Sequence, residues 1–124
     1  MKKQALILFA HGARAASWAE PFLRLQKLTQ ESSPELKVEL AFLELMQPQL
    51  PEVVKNLVNQ SYESITITPI FLGQGGHLIR DLPLMIEEIR QQYPNLQIKQ
   101  VAAAGEDAGV LHAIRDYCLR SMNP

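Results

Sequence analysis

At 124 residues the chain is sized for one compact domain, 1–124, and its 47% hydrophobic and 20% charged residues give the balance of an ordinary globular protein. Twelve basic residues against thirteen acidic ones, with neither sign gathered into a block, argue against nucleic-acid or membrane-surface binding, which needs a basic stripe. No run approaches the roughly 20 apolar residues of a membrane span, and the one cysteine, Cys118, cannot form an internal disulfide, so a cytoplasmic setting is expected.

The apolar run Ala5 to Ala10 is too short for a signal peptide and leads straight into His11-Gly12-Ala13-Arg14, so it reads as a buried first strand. Ser17 and Glu20 have the spacing of a capping box for a first helix, whose face would carry Trp18, Phe22, Leu25 and Leu28 into the core. Ser32-Ser33-Pro34 ends it. Val38 to Leu45 reads as a second strand, placed at an edge by Glu39.

Pro48 and Pro51 suit the opening of a second helix, with Leu50, Val53, Val54, Leu57 and Val58 as its buried stripe. Ile65 to Phe71 is rich in β-branched residues and reads as a third strand. A glycine-rich loop, Leu72 to His77, follows. Asp81 is the expected cap of a third helix, because Pro83 is tolerated only near a helix start. Leu82, Met85, Ile86, Ile89 and Tyr93 form its apolar face.

Gln97 to Val101 is a polar strand suited to the other edge. Glu106 and Asp107 open a last helix that ends near Arg120. In that helix Leu111, Ile114 and Cys118 form the expected buried stripe, which makes Cys118 a small core residue and turns His112 to solvent. The alternation predicts an α/β fold: a three-layer arrangement with a mostly parallel four-stranded sheet, right-handed crossovers and helices on both faces.

Such sheets bind ligands beyond the carboxyl ends of their strands, where strand order reverses. His11 follows the first strand, Glu44 closes the second and His77 follows the third. Two imidazoles and a carboxylate at one sheet end suit a divalent first-row metal such as cobalt, iron, nickel or zinc. Imidazole ligates only when neutral, so binding weakens as pH falls.

A histidine in a loop is commonly a plain surface residue. Here Gly12 and the glycines before His77 allow the tight turns and close approach that a site needs. Glu44 reads equally well as a solvated edge carboxylate, and Trp18 and Phe22 as core rather than a ligand platform. Arg14 and Arg80 flank the two histidines and can fork onto carboxylates of an anionic ligand.

Three blocks then match a known family. Phe9-Ala10-His11-Gly12-Ala13-Arg14 resembles the signature after the first strand of the class II tetrapyrrole chelatases. Phe42-Leu43-Glu44-Leu45 with Pro48 and Leu50 is similar to their second block. Pro69-Ile70-Phe71-Leu72, Gly75-Gly76-His77 and Asp81-Leu82-Pro83 are similar to their third. Order and spacing fit the short, single-domain sirohydrochlorin cobaltochelatases over essentially the whole chain.

The resemblance implies a chelatase-like fold and ATP-independent insertion of Co²⁺ or Fe²⁺, with Ni²⁺ a further candidate, into sirohydrochlorin or a related anionic tetrapyrrole. The metal is then a substrate, and no organic cofactor is expected. His11 and His77 are implied as metal ligands and proton acceptors, with Glu44 assisting. Arg14, Arg80, Gly75 and Gly76 are the expected substrate contacts, and a homodimer is the expected assembly. Ala13 stands where the family carries serine, a change that bears on substrate positioning more than on metal binding.

Three rivals remain at the level of sequence. The glycine-rich loop before a helix suits a phosphate or flavin module, but it lacks the lysine and Ser/Thr of a P-loop and the dinucleotide fingerprint. A histidine phosphatase places an arginine directly before its histidine, where this chain has Ala10. A non-catalytic metal or tetrapyrrole carrier would keep the same histidines.

Overall fold

A computed structural model describes residues 3–73 and 76–123, with 76–79 as backbone only. Among these residues four parallel strands, β1 Gln4–Ala10, β2 Lys37–Phe42, β3 Ser64–Pro69 and β4 Gln97–Gln100, form a sheet of order β2-β1-β3-β4. Helices α1 Glu20–Ser32, α2 Leu50–Asn59, α3 Gly76–Gln92 and α4 Ala108–Arg120 alternate with them. Short 3₁₀ turns, Ala16–Ala19 and Ala104–Glu106, precede α1 and α4. The α/β architecture, the central first strand and the two polar edges are those expected from the pattern.

Side chains alternate across the sheet with the period of two that extended backbone imposes. Ile7, Phe9, Ala41, Ile65, Ile67 and Ile98 face α2 and α3, which contribute Leu50, Val53, Val54 and Leu57 and then Leu82, Ile86 and Ile89. Leu8, Ala10, Val38, Leu40 and Phe42 face the other way, where Phe22 and Leu25 of α1 pack on them. Each sheet edge is met by side chains at one residue. Gln30 Oε1 accepts from the Val38 N–H at 2.9 Å and Gln26 Nε2 donates to the Val38 carbonyl at 3.0 Å. Arg90 Nη2 donates to the Ile98 carbonyl at 2.9 Å on β4. Such plugs occupy backbone groups through which edge strands add to other chains.

Several local expectations are corrected. The Ser17–Glu20 capping box does not form. Pro21 has no N–H and fits the first turn of a helix, so α1 starts at Glu20 and Ser17 falls in the 3₁₀ turn, where its carbonyl accepts from Glu20 N. Trp18 and Leu28 are exposed rather than core, and α1 has no fully buried residue. β2 stops at Phe42, because Leu45 adopts a positive φ of 65° and turns the chain. Pro51 does lie in the first turn of α2, but Pro48 precedes the helix and follows a cis peptide bond.

Asp81 caps nothing. α3 begins five residues earlier, so Asp81 and Pro83 lie inside it, and the helix accommodates a proline the pattern would have excluded. α4 opens where expected, with Asp107 Oδ2 accepting from the Val110 N–H at 3.2 Å. Its stripe is not buried, however. Leu111, Ile114 and Cys118 are all exposed, because α4 does not lie down on the sheet.

Candidate active site

The order β2-β1-β3-β4 reverses direction at β1, so the place where such sheets take ligands lies beyond the carboxyl ends of β1 and β3. The loops that leave these strands are pinned by backbone bonds that continue the ladder past its formal end. Leu43 N–H donates to the Ala10 carbonyl at 2.8 Å, Glu44 N–H to His11 at 3.1 Å, and Ile70 N–H to Phe9 at 2.8 Å. His11 and Glu44 are thus held side by side by main chain, at the mouth predicted for them. Both are exposed.

Gly12 makes this close approach possible. Its φ is +92°, and a Cβ there would stand 1.9 Å from the Glu44 carbonyl oxygen, inside any contact distance. Neither the backbone angle nor the space admits another residue without moving the β2 loop. The His11 ring lies against Phe71, with centroids 4.2 Å apart and planes at 38°. Phe71 in turn packs edge-on to Phe9, at 6.2 Å. His11 therefore leans from β1 toward the segment that follows β3 and carries His77, while its ring keeps access to solvent.

His77 is not in a loop: it is the second residue of α3, which starts at Gly76. A glycine-rich approach followed by a helix shows no boundary in the sequence, which is why the loop was expected to run on to it. Its side chain, like Gly75, lies outside the described residues. Among the described residues no group of three His, Cys, Asp or Glu side chains could hold a metal. Arg14 is exposed on the His11 loop, and Arg80 is exposed on the first turns of α3, where it has an interaction partner.

Two residues that shape the mouth were given no role by the sequence reading. Phe71 supplies the surface on which His11 rests; it lay in the third strand and in the third family-like block with no contact assigned to it. Gly105, in the 3₁₀ turn before α4, donates its N–H to the Phe71 carbonyl at 2.8 Å. A Cβ on Gly105 would fall 1.7 Å from the Leu72 carbonyl oxygen. The run Ala102-Ala103-Ala104-Gly105 is the corresponding signal: small residues where two backbones touch.

The family model CbiX matches residues 5–120 of the chain. The chain belongs to the CbiX family. It is similar to the sirohydrochlorin cobaltochelatase of Methanocaldococcus jannaschii, with 30% identity over 73% of this chain and 63% of that protein. The match therefore spans less than two thirds of that relative's length. Among solved structures, the putative cobalamin biosynthesis CbiX protein of Marinobacter aquaeolei superposes with a TM-score of 0.86 at 33% identity, covering 96% of this chain and 97% of the other. SirB from Bacillus subtilis with Fe³⁺ shares the fold with a TM-score of 0.80 at 24% identity, over 92% of this chain and 45% of that one. The CbiX fold accounts for the parallel sheet and for the position of its switch point. Among the described residues, no helix of this CbiX protein is long and apolar enough to cross a membrane.

Proposed function

We propose that this protein inserts a divalent metal, Co²⁺ or Fe²⁺, into sirohydrochlorin or a related anionic tetrapyrrole, without ATP, in the cytoplasm. The observation that carries the reading is the His11 ring. It is solvent-accessible at the switch point and set against Phe71, next to the segment that brings His77. Membership of the CbiX family and the similarity to the Methanocaldococcus enzyme support it.

In this reading His11 and His77 bind the incoming cation and accept the protons it displaces, and Glu44 takes up a proton beside them. Insertion exchanges two pyrrole N–H protons for one M²⁺, so charge balances and no electron moves, which is why no redox cofactor is called for. Arg14 and Arg80 pair with substrate carboxylates through charge-assisted bonds, and the backbone at Gly75 and Gly76 lets the macrocycle approach. Leu45 and Leu72 stand exposed on the same loops and offer apolar surface to a flat ring. A homodimer completes the cleft.

The test is metal-free protein incubated with sirohydrochlorin and Co²⁺ or Fe²⁺, followed by the absorbance change of insertion. Turnover above the uncatalysed rate is expected, and His11→Ala should lower it by about 100-fold or more, the usual worth of a positioned base. Stoichiometric binding with no turnover would reject catalysis in favour of a carrier.

A further inference from the structure

A metal-binding imidazole is normally oriented by a hydrogen bond from its second ring nitrogen to a carboxylate, a carbonyl or water. Among the described residues no hydrogen bond reaches the His11 ring. Its loop is fixed through the main chain instead, where the His11 carbonyl accepts from the Glu44 N–H at 3.1 Å. What the ring meets is Phe71, with centroids 4.2 Å apart and planes tilted by 38°.

Phe71 can hold a neighbour in place because it is itself held from several directions. It is only 9% exposed and packs edge-on to Phe9, which has no exposed surface. Ile70, the residue before it, donates its N–H to the Phe9 carbonyl at 2.8 Å, and the Phe71 carbonyl accepts from the Gly105 N–H at 2.8 Å. Gly105 is buried, and a Cβ there would meet the Leu72 carbonyl carbon at 2.3 Å and its Cα at 2.5 Å. The turn Ala104–Glu106 therefore clamps Phe71 and Leu72 from the β4 side while β1 clamps Ile70 from the other.

We propose that Phe71 is a positioning residue for His11: its ring fixes the plane of the imidazole, and the Gly105 turn fixes the ring. This role rests on the reading of His11 as a metal ligand given above. A contact on the face of an imidazole restrains it without occupying either nitrogen, since the lone pair and the N–H both lie in the ring plane. One nitrogen thus stays open to a cation and the other to a proton. Phe71 touches no reacting atom, so its contribution belongs to the geometry in which His11 meets the metal.

A space-filling role for Phe71 would be met nearly as well by leucine, because cores tolerate apolar side chains of similar size. A stacked ring has no aliphatic substitute. That difference separates positioning from packing. Misplacing a reacting group by ~1 Å can cost about 100-fold in rate, so a loosened imidazole should show in kcat even where the fold is intact.

The experiment compares Phe71→Leu and Phe71→Tyr with the wild type, by proton NMR of the histidine rings and by steady-state insertion of Co²⁺ into sirohydrochlorin. In the wild type the His11 ring protons, identified by their loss in His11→Ala, should lie upfield of those of exposed His112, because they sit over the Phe71 face. Phe71→Leu should erase that difference and lower kcat by about 10-fold or more, with KM for the tetrapyrrole within ~2-fold. Phe71→Tyr, which keeps the ring, should restore both. Gly105→Ala, which displaces the Leu72 backbone, should lower kcat in the same way. Ile98→Val, buried on the same face of the sheet, controls for lost stability and should leave kcat unchanged. Unshifted His11 protons in the wild type, equal loss in Phe71→Tyr and Phe71→Leu, or full kcat in Phe71→Leu beside an inactive His11→Ala would overturn the positioning role alone. Full activity in His11→Ala would overturn the metal-binding reading of His11 and the positioning role with it.

Discussion

The two faces of the sheet are built from the same strands, yet they carry different loads. Under α2 and α3, β3 presents Ile65 and Ile67, both buried, and the helices close over them with Leu57, Leu82 and Ile86. On the opposite face the same strand presents Thr66 and Thr68, half-buried, beside a groove that no helix of this chain fills. Packing that is complete within one copy supplies stability. Packing that stops halfway leaves apolar surface uncovered. The mouth holding His11 lies at the strand ends between the two faces, on loops anchored chiefly to the closed side through Phe71 and Phe9.

Substitutions should separate these roles. The largest effect belongs to the closed face: Phe9→Ala removes a side chain with no exposed surface and should cost about 3–5 kcal/mol by chemical denaturation. Leu57→Ala should cost ~2–5 kcal/mol by the same measurement. Asp107→Ala removes the cap of α4 and should cost about 1 kcal/mol, read as faster amide exchange confined to Ala108–Arg120. Ile114→Ala, on the exposed face of α4, should be smallest, within roughly 0.5 kcal/mol by chemical denaturation. If it destabilised a dilute monomer as much as Leu57→Ala does, the two faces would not differ in the way described.

The closed face was legible because its residues obey one period at a time. Ile65-Thr66-Ile67-Thr68 already shows a strand with one dry side, and Leu50, Val53, Val54 and Leu57 show the stripe that covers it. The position of His11 was legible for a topological reason, since any residue after a central parallel strand arrives at the switch point. Helix starts were less readable. Ser17 and Glu20 had the correct spacing but were overruled by Pro21, and Asp81 was overruled by a helix that begins at Gly76. The stripe on α4 is apolar as the periodicity indicates but is not buried, because periodicity marks an apolar face and is silent on whether the rest of the chain packs on it. Gly105 was missed because its role lies in touching the Leu72 backbone, a contact 33 residues away in sequence.

In the proposed site two imidazoles share one cation, His11 from the end of β1 and His77 from the first turn of α3. X-ray absorption at the cobalt edge of Co²⁺-loaded protein counts coordinated imidazoles directly. Two are expected in the wild type and one in each of His11→Ala and His77→Ala. Two imidazoles retained in the His11→Ala protein would contradict this arrangement.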